Sequence, residues 1–439
     1  MSTHGQAAFR GSGGLLGPAL NLKELNLICW GLFLIGVFLP MAVVAIGRNQ
    51  VPDADFAGFY SLGRILNEHP AQELYNFALQ KKICTEVHAL QAGSYSPLPH
   101  PPFVGVLFRP FAQLAYPSAY LLWISISLAL YLAGLAIVSV QFFPQDPLLR
   151  SLIFCLALAY YPFSVETLVN GQLAAIGFLA LAAALREDER GHPLWSGLAL
   201  AACLYKPTLL VLVIPMLVVT RRFKTLLGFA LGGMVIAGVT TAVEGLGVWS
   251  GYLSALLSFG RSSVGVETHS FLPLHKYVDL TSFSSLLAGG RSWAGMALIS
   301  GFAGWAALTL VRIWWKSRSA GRPFTNLQWA ATLTWTLLLN VYTPIYDSIL
   351  VVLAIVVTWS VVRTLPDKLW QRWFTLLWLL ILAGSWVTTG VAAATKIQLI
   401  TLLLAAFGML QFAVWRRLEA ARPNPRASAI GVLSATNCR

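Results

Sequence analysis

The sequence predicts an all-α protein that crosses a membrane many times, and three observations lead to this class. Hydrophobic residues make up 57% of the 439 positions and charged residues only 11%, against roughly 25% charged residues in a soluble domain. The apolar residues form runs that reach the length of a spanning helix, about 20 residues. The basic residues, which give a net charge of +13, lie between these runs. This pattern excludes a soluble domain and a nucleic-acid-binding protein, whose Lys and Arg would line a solvated face.

Apolar runs predict about 12 membrane segments when each run is counted as a crossing and one interrupted run as two. The uninterrupted runs occupy residues 25–46, 118–142, 150–164, 171–185, 223–243, 293–315, 325–341, 346–363, 370–389 and 397–415. The first run is long enough to be a retained helix, so we do not interpret it as a cleaved signal peptide.

The interrupted run at 194–219 contains Lys206-Pro207. It could form one helix with a lysine at mid-membrane, or two short helices that meet at this dipeptide. Basic residues flank it on both sides, at Arg186, Arg190, Arg221, Arg222 and Lys224. Because basic loops stay in the cytoplasm, both ends belong on one side. We therefore predict two short helices that turn at Lys206-Pro207 near the opposite face, where the missing N–H of proline is tolerated.

This topology predicts three regions with both termini in the cytoplasm. They are a segment at 1–24, a transmembrane domain at 25–415 and a tail at 416–439 whose composition is typical of disorder. Two long loops, 48–117 and 244–292, lie on the outer side, and loops of this length usually carry function. Mixed polar and apolar residues in the first loop predict short interfacial helices. The whole excess of +13 falls on the cytoplasmic side, which leaves the outer face balanced.

Two carboxylates, Asp53 and Asp55, follow the first apolar run directly and are surrounded by aromatic residues. A carboxylate at a membrane–water boundary tends to have a raised pKa and can act as a general base. The alternative is that both are solvated loop acids, since such a short spacing is weakly specific.

Six short motifs occur in order along the chain. They are DFAGFY at 55–60 with LY at 74–75, YSPLPHPPF at 95–103, NGQ at 170–172, YKPT at 205–208, ETHSFLP at 267–273 and YTPIYD at 342–347. Together they resemble the motifs of glycosyltransferase family 87, a family of integral-membrane transferases of the GT-C type. The resemblance covers residues 25–365, and His269 stands where an amide is expected.

The resemblance implies a GT-C-like enzyme that moves one sugar from a polyprenyl-phosphate donor to a glycolipid or glycan acceptor, with inversion. Mannose is the first choice of sugar, and another hexose or a pentose stays open. The reaction would take place on the extracytoplasmic face of the inner membrane, and the partners would be the donor, the acceptor and membrane lipids, without nucleic acid. No cofactor is expected, and no metal, because His100, His269 and His275 match no compact ligand spacing.

The resemblance assigns the general base to Asp55 rather than Asp53. Lys206 would face the departing phosphate, which needs a positive charge more than a proton donor; alternatively it is a lysine that snorkels to water. Arg64 and Arg261 are candidates for further phosphate contacts, although a structural salt bridge is the favoured interpretation of each.

The remaining candidates would bind the sugar or the acceptor. They are Tyr60, His100, Gln172, His269, Tyr346 and Asp347. Gln172 could instead be a polar turn that starts a helix, and Asp347 could be a helix cap. The predicted topology brings Asp55, Lys206 and four of these residues from six separate connections to the outer face, and polar groups at a membrane usually serve function. The rival classes are a lipid-linked sugar transporter or flippase and a non-catalytic scaffold.

Overall fold

The structure, a computed structural model, describes residues 55–87, 97–264, 274–289, 293–318 and 320–422, with a few positions between 27 and 34. Most of the first predicted span, together with Asp53 and His269, lies outside the described residues. No side chain is described between 259 and 264, a range that includes Arg261.

Helices make up almost all of the regular structure in the described ranges. The α-helices of the first half are α1 (Asp55–Glu68), α2 (Phe77–Val87), α3 (Pro102–Phe108), α4 (Tyr116–Phe142), α5 (Pro147–Leu158), α6 (Ala174–Glu189), α7 (Pro193–Ala201) and α8 (Val213–Val219). Those of the second half are α9 (Phe223–Glu244), α10 (Gly247–Val264), α11 (Leu280–Leu287), α12 (Trp293–Ser317), α13 (Arg322–Leu339), α14 (Leu350–Val362), α15 (Lys368–Thr395) and α16 (Leu399–Ala420). A π-helix spans Pro162–Val169, and short 3-10 helices span Ala71–Tyr75, Phe111–Gln113, Ala202–Tyr205, Pro207–Leu210, Leu274–Lys276 and Ile345–Ile349.

Local sequence explains where several helices begin. Proline stands in the first turn of α5 and α7, where its missing N–H costs nothing. Aspartates cap three helices: Asp146 accepts the N–H of Leu149, Asp279 that of Ser282, and Asp367 that of Leu369. These caps satisfy backbone donors that have no partner inside the helix.

Six helical segments among the described residues are long and apolar enough to cross a membrane. They are α4, α9, Gly295–Ser317 of α12, the unit Ile345–Val362, α15 and α16. The pair formed by α5 and the π-helix bends by 56° and would make a seventh span. The predicted count of about 12 is not confirmed, because several apolar runs fold into shorter helices such as those on either side of Lys206.

The centre of the bundle is formed by α14 and by α13 from Leu327 onward, where almost all side chains are buried. Within the unit Ile345–Val362, 83% of the most apolar window is buried, whereas only 17% of that window is buried in α9. Large apolar side chains such as Met234 and Val235 on α9 are therefore exposed. Since lipid tails are as apolar as these side chains, α9 is suited to the lipid-facing surface.

The run at 194–219 folds as the predicted pair of short helices, separated at Lys206. Helix α7 packs in parallel on α9, since Leu194 meets Gly228 near the start of both helices and Ala201 meets Gly232 further along. Only glycine permits this approach, because a Cβ on Gly228 would overlap the backbone of Leu194. The chain must then return through α8 before α9 begins.

Contacts between basic and acidic side chains gather the short loops at one end of the bundle. Arg222 pairs with Asp188, which also accepts Nε1–H of Trp329 at 2.8 Å. Lys316 pairs with Glu419, and Nε–H of Arg318 donates to the carbonyl of Val219 at 2.6 Å. Both ends of the run at 194–219 therefore share one face, which we call the basic end. Lys206 lies at the opposite end, which we call the site end.

Candidate functional site

The loop that joins the π-helix to α6 holds Gln172 against Asp55. Nε2–H of Gln172 donates to Oδ2 of Asp55, and the amide N–H of Phe56 donates to the carbonyl of Asn170 at 3.0 Å. The turn requires glycine at position 171, where φ is +72° and a Cβ would lie 2.6 Å from that of Phe56. Indole N–H of Trp123 anchors the turn by donating to the carbonyl of Gly171 at 2.8 Å. The AsnGlyGln motif thus positions the first residue of α1.

The Asp55 carboxyl combines access with an unfavourable setting for its charge. Its side chain is open to solvent on one side, whereas the protein packed around it removes much of its hydration. This desolvation is the main cause that raises the pKa of Asp55 to about 6, and the charge of Glu166 acts in the same direction. The Gln172 hydrogen bond, Lys276 and Lys206 act in the opposite direction. A carboxyl with this pKa is ionised at neutral pH yet basic enough to accept a proton.

Glu166 is a second carboxylate of this region, and the sequence interpretation missed it. It is buried in the π-helix. Its carboxylate accepts a hydrogen bond from the Tyr161 hydroxyl at 2.9 Å and another from Nδ2–H of Asn170 at 3.0 Å. The signal was present, because an acid flanked by apolar residues inside a membrane segment is costly unless it serves function.

Lys206 lies between two 3-10 turns and is paired with Asp347 from the start of the Ile345–Val362 unit. Nζ of Lys206 is 2.5 Å from Oδ2 of Asp347 and lies 4.6 Å from the centre of the Tyr346 ring. Its side chain is 15% exposed and that of Asp347 only 2%. Asp347 therefore does not cap the helix. Its carboxylate forms an ion pair with Lys206. The ammonium of Lys206 is therefore held inside the site and does not extend freely to water.

His100 packs next to Lys206 through the backbone of Tyr205. Nδ1–H of His100 donates to the carbonyl of Tyr205 at 3.1 Å, and Phe59 covers the ring with 5.3 Å between ring centres. Burial is the main cause that lowers the pKa of His100 to about 4; the charge of Lys206 acts in the same direction, and the hydrogen bond to Tyr205 opposes it. The imidazole is therefore neutral at physiological pH, and Nε2 remains as a hydrogen-bond acceptor.

The segment that carries Lys276 closes the site from the second long loop. Tyr277 pairs with Pro344 in an antiparallel bridge, and its hydroxyl donates to the Tyr342 hydroxyl at 2.7 Å. The amide of Val278 donates to the carbonyl of Thr343 at 2.9 Å. These contacts place Lys276 beside the YTPIYD motif. The sequence interpretation did not select this lysine.

Two predicted site residues on α1 point their polar groups elsewhere. The Tyr60 hydroxyl donates to the carbonyl of Leu114 at 2.8 Å, and its ring packs on Tyr116. Arg64 pairs with Glu68 at 2.8 Å and with Glu86 at 3.4 Å, as the salt-bridge interpretation has it. The structure does not bring either group to Asp55, and the predicted roles of Arg261 and His269 fall outside the described side chains.

The fold and the site define a class: a multi-pass membrane protein with a polar, charged site at one end of its helical bundle. The sequence model of glycosyltransferase family 87 matches residues 99–340, slightly more than half of the chain. The chain belongs to glycosyltransferase family 87 and is a membrane glycosyltransferase, which confirms the resemblance. No curated protein and no solved structure matches the chain. The matched range contains His100, Gln172, Lys206 and Lys276, whereas Asp55 and Asp347 lie outside it.

Proposed function

We propose that this glycosyltransferase moves one sugar, with mannose as the first choice, from a polyprenyl-phosphate donor to an acceptor hydroxyl on the extracytoplasmic face of the plasma membrane, with both chain termini in the cytoplasm. The observation that supports the proposal most is the Asp55 carboxylate. It is held on one oxygen by Gln172, is open to solvent, and lies within range of the charges of Lys276 and Lys206.

The proposed chemistry is a single displacement with inversion. Asp55 accepts the proton of the acceptor hydroxyl as the hydroxyl oxygen bonds to the anomeric carbon. The bond from that carbon to the phosphate oxygen breaks, and its electron pair stays on the phosphate. Within the described residues Gln172 alone hydrogen-bonds the carboxylate, through Oδ2, so Oδ1 is available to the acceptor. A phosphate is already a good leaving group, and its growing charge needs a nearby cation rather than an acid.

The site also suits recognition of sugar hydroxyl groups, which is how we interpret His100, Gln172, Tyr346 and Asp347. Nε2 of His100 can accept a hydrogen bond from a sugar hydroxyl, and the amide of Gln172 can both donate and accept hydrogen bonds. No metal or cofactor enters this proposal.

The first test replaces the proposed base. Asp55→Asn keeps the shape and the Gln172 contact but removes the proton acceptor, so we expect sugar transfer to fall at least about 100-fold. Purified protein would be incubated with polyprenyl phosphate carrying a labelled sugar, and the label leaving the lipid would be measured. Asp53→Asn is the matched control and should keep activity.

The outcomes separate the rival classes. Full turnover by Asp55→Asn would refute the assignment of the base. Labelled donor that crosses vesicle membranes with its sugar still attached would instead identify a transporter or flippase. A protein that neither transfers nor moves the label, with every candidate donor and acceptor, would favour the scaffold interpretation.

A further inference from the structure

Among the described residues, the site contains three carboxylates and two ammonium groups, and only one of the two ammonium groups forms an ion pair. The groups are Asp55, Glu166, Asp347, Lys206 and Lys276. Asp347 matches Lys206 at 2.5 Å, so this pair contributes almost no net charge to the opening. Lys276 is exposed, and in the described part of the chain it has no carboxylate within salt-bridge distance. Its charge is nevertheless close enough to act on Asp55. Of the two site lysines, Lys276 is therefore the one that a bound anion can use without breaking an ion pair seen among the described residues.

The backbone that carries Lys276 is held in place from both sides. On one side lie the contacts of Tyr277 and Val278 with residues 342–344. On the other side, Nε2–H of Gln398 donates to the carbonyl of His275 at 2.5 Å, and the Thr401 hydroxyl donates to that of Val278 at 2.9 Å. The fixed backbone limits the region that the Lys276 ammonium can reach, and a positive charge that is already near a developing anion stabilises it.

The next residues explain why this backbone does not shift. Asp279 is fully buried and accepts three hydrogen bonds, from the amide and hydroxyl of Ser282 and the amide of Thr343, at 2.8, 2.9 and 3.0 Å. It thereby caps α11 and fastens this helix to the YTPIYD motif at once. The segment is therefore held firmly beside the YTPIYD motif, with Lys276 exposed on it.

We propose that Lys276 binds the phosphate of the lipid-linked donor and stays with it as it departs, while Lys206 is a positioning residue that fixes Asp347 and Tyr346. This inference rests on the proposed function. During transfer the phosphate gains a negative charge, and the ammonium of Lys276 faces that charge without a competing carboxylate.

The test measures binding of the departing group itself. Undecaprenyl phosphate is titrated into the full-length protein in nanodiscs, with undecaprenol as the uncharged probe of equal chain length. We expect Lys276→Met to weaken phosphate-lipid binding about tenfold, the loss expected for one charge-assisted hydrogen bond, and to leave undecaprenol binding unchanged. Lys276→Arg should restore most of the affinity. The matched control is Lys396→Met, which removes an exposed lysine at the end of α15 and should change neither affinity.

Three outcomes separate this inference from the proposed function. If the wild-type protein does not prefer the phosphate lipid to undecaprenol and releases no labelled sugar from a polyprenyl-phosphate sugar donor, the proposed function fails. If the wild-type protein prefers the phosphate lipid and Lys276→Met binds it within about twofold of wild type, only the role of Lys276 is refuted. If Lys276→Met weakens both lipids equally while its thermal unfolding matches wild type, the lysine acts on the lipid chain, and the phosphate assignment is overturned.

Discussion

At the scale of single residues, the site depends on a balance of charges around Asp55. Burial and Glu166 raise the pKa of Asp55, whereas Gln172, Lys276 and Lys206 lower it. The base is useful only in its ionised form, so its activity must disappear as the pH falls through the pKa of about 6. Removing a neighbour that raises the pKa should therefore move the acidic limb of the pH–rate profile to lower pH, and removing one that lowers the pKa should move it to higher pH.

Replacing Glu166 with Gln should move the acidic limb of the pH–rate profile to lower pH. The substitution removes a negative charge that favours the protonated form of Asp55, so the pKa of Asp55 falls. The oxygen of the new amide can still accept a hydrogen bond from the Tyr161 hydroxyl, and its NH2 can donate to Asn170 once that amide turns its oxygen toward it, which limits damage to the π-helix. The measurement is the initial rate of sugar transfer across the acidic and neutral range.

Glu68→Gln is the control for this profile. Glu68 lies on the same helix as Asp55, and its charge is exposed and paired with Arg64. Its replacement should leave the acidic limb in place. An unchanged limb in Glu166→Gln, in a protein that folds normally, would contradict the assignment of Asp55 as the titrating base.

The sequence predicted some of these residues and missed others for a physical reason. Asp55, Gln172, Lys206 and Asp347 stand in motifs, so a pattern could find them. Lys276 stands outside any motif that was singled out, and it reaches the site only because Tyr277 pairs with Pro344. Such pairing over long sequence separation is a property of tertiary packing, which no local spacing encodes.

At the scale of elements, the turn between the π-helix and α6 links packing to chemistry. Gly171→Ala should reduce both stability and activity. The positive φ of +72° costs an alanine about 1 kcal/mol or more, and the new Cβ would press on Phe56, which follows Asp55 directly. The Gln172 contact should then be lost or misdirected. Thermal unfolding and sugar transfer are measured together.

Gly191→Ala is a matched control, because Gly191 has a φ of +75° but no atom within 4 Å of an added Cβ. Both variants carry the backbone strain, and only Gly171→Ala disturbs α1. We expect similar losses of stability from strain and a selective loss of activity in Gly171→Ala. Equal activities in the two variants would show that the turn does not position Asp55.

The short helices α7 and α8 show what an apolar run does and does not predict. Proline at 207 and the basic residues on both sides correctly predicted a break at Lys206 with both ends on one face. The run length did not reveal how short the resulting helices are. From Pro193 to Tyr205 the chain rises about 20 Å, less than the hydrocarbon core of about 30 Å. The two helices are therefore each shorter than a full crossing.

At the scale of the whole molecule, charge is divided between the two ends of the bundle. The basic end is held by pairs such as Arg222 with Asp188 and Lys316 with Glu419. The site end carries Asp55, Lys206, Lys276 and Asp347. With the proposed orientation, the net charge of +13 follows from the preference of basic loops for the cytoplasm.

This division predicts that cysteines placed at the two ends react from opposite sides of the membrane. Thr208 follows the Lys206 break, and His192 precedes α7 at the basic end; both residues are exposed. Cys84, Cys155 and Cys203 are buried, so a protein in which Cys29 and Cys438 are replaced by serine should not react with maleimide before a new cysteine is added.

An impermeant maleimide added to intact cells should label Thr208→Cys and not His192→Cys, and inverted vesicles should give the reverse. Labelling of both from the same side would contradict the hairpin at Lys206, and labelling of Thr208→Cys only in inverted vesicles would place the site in the cytoplasm.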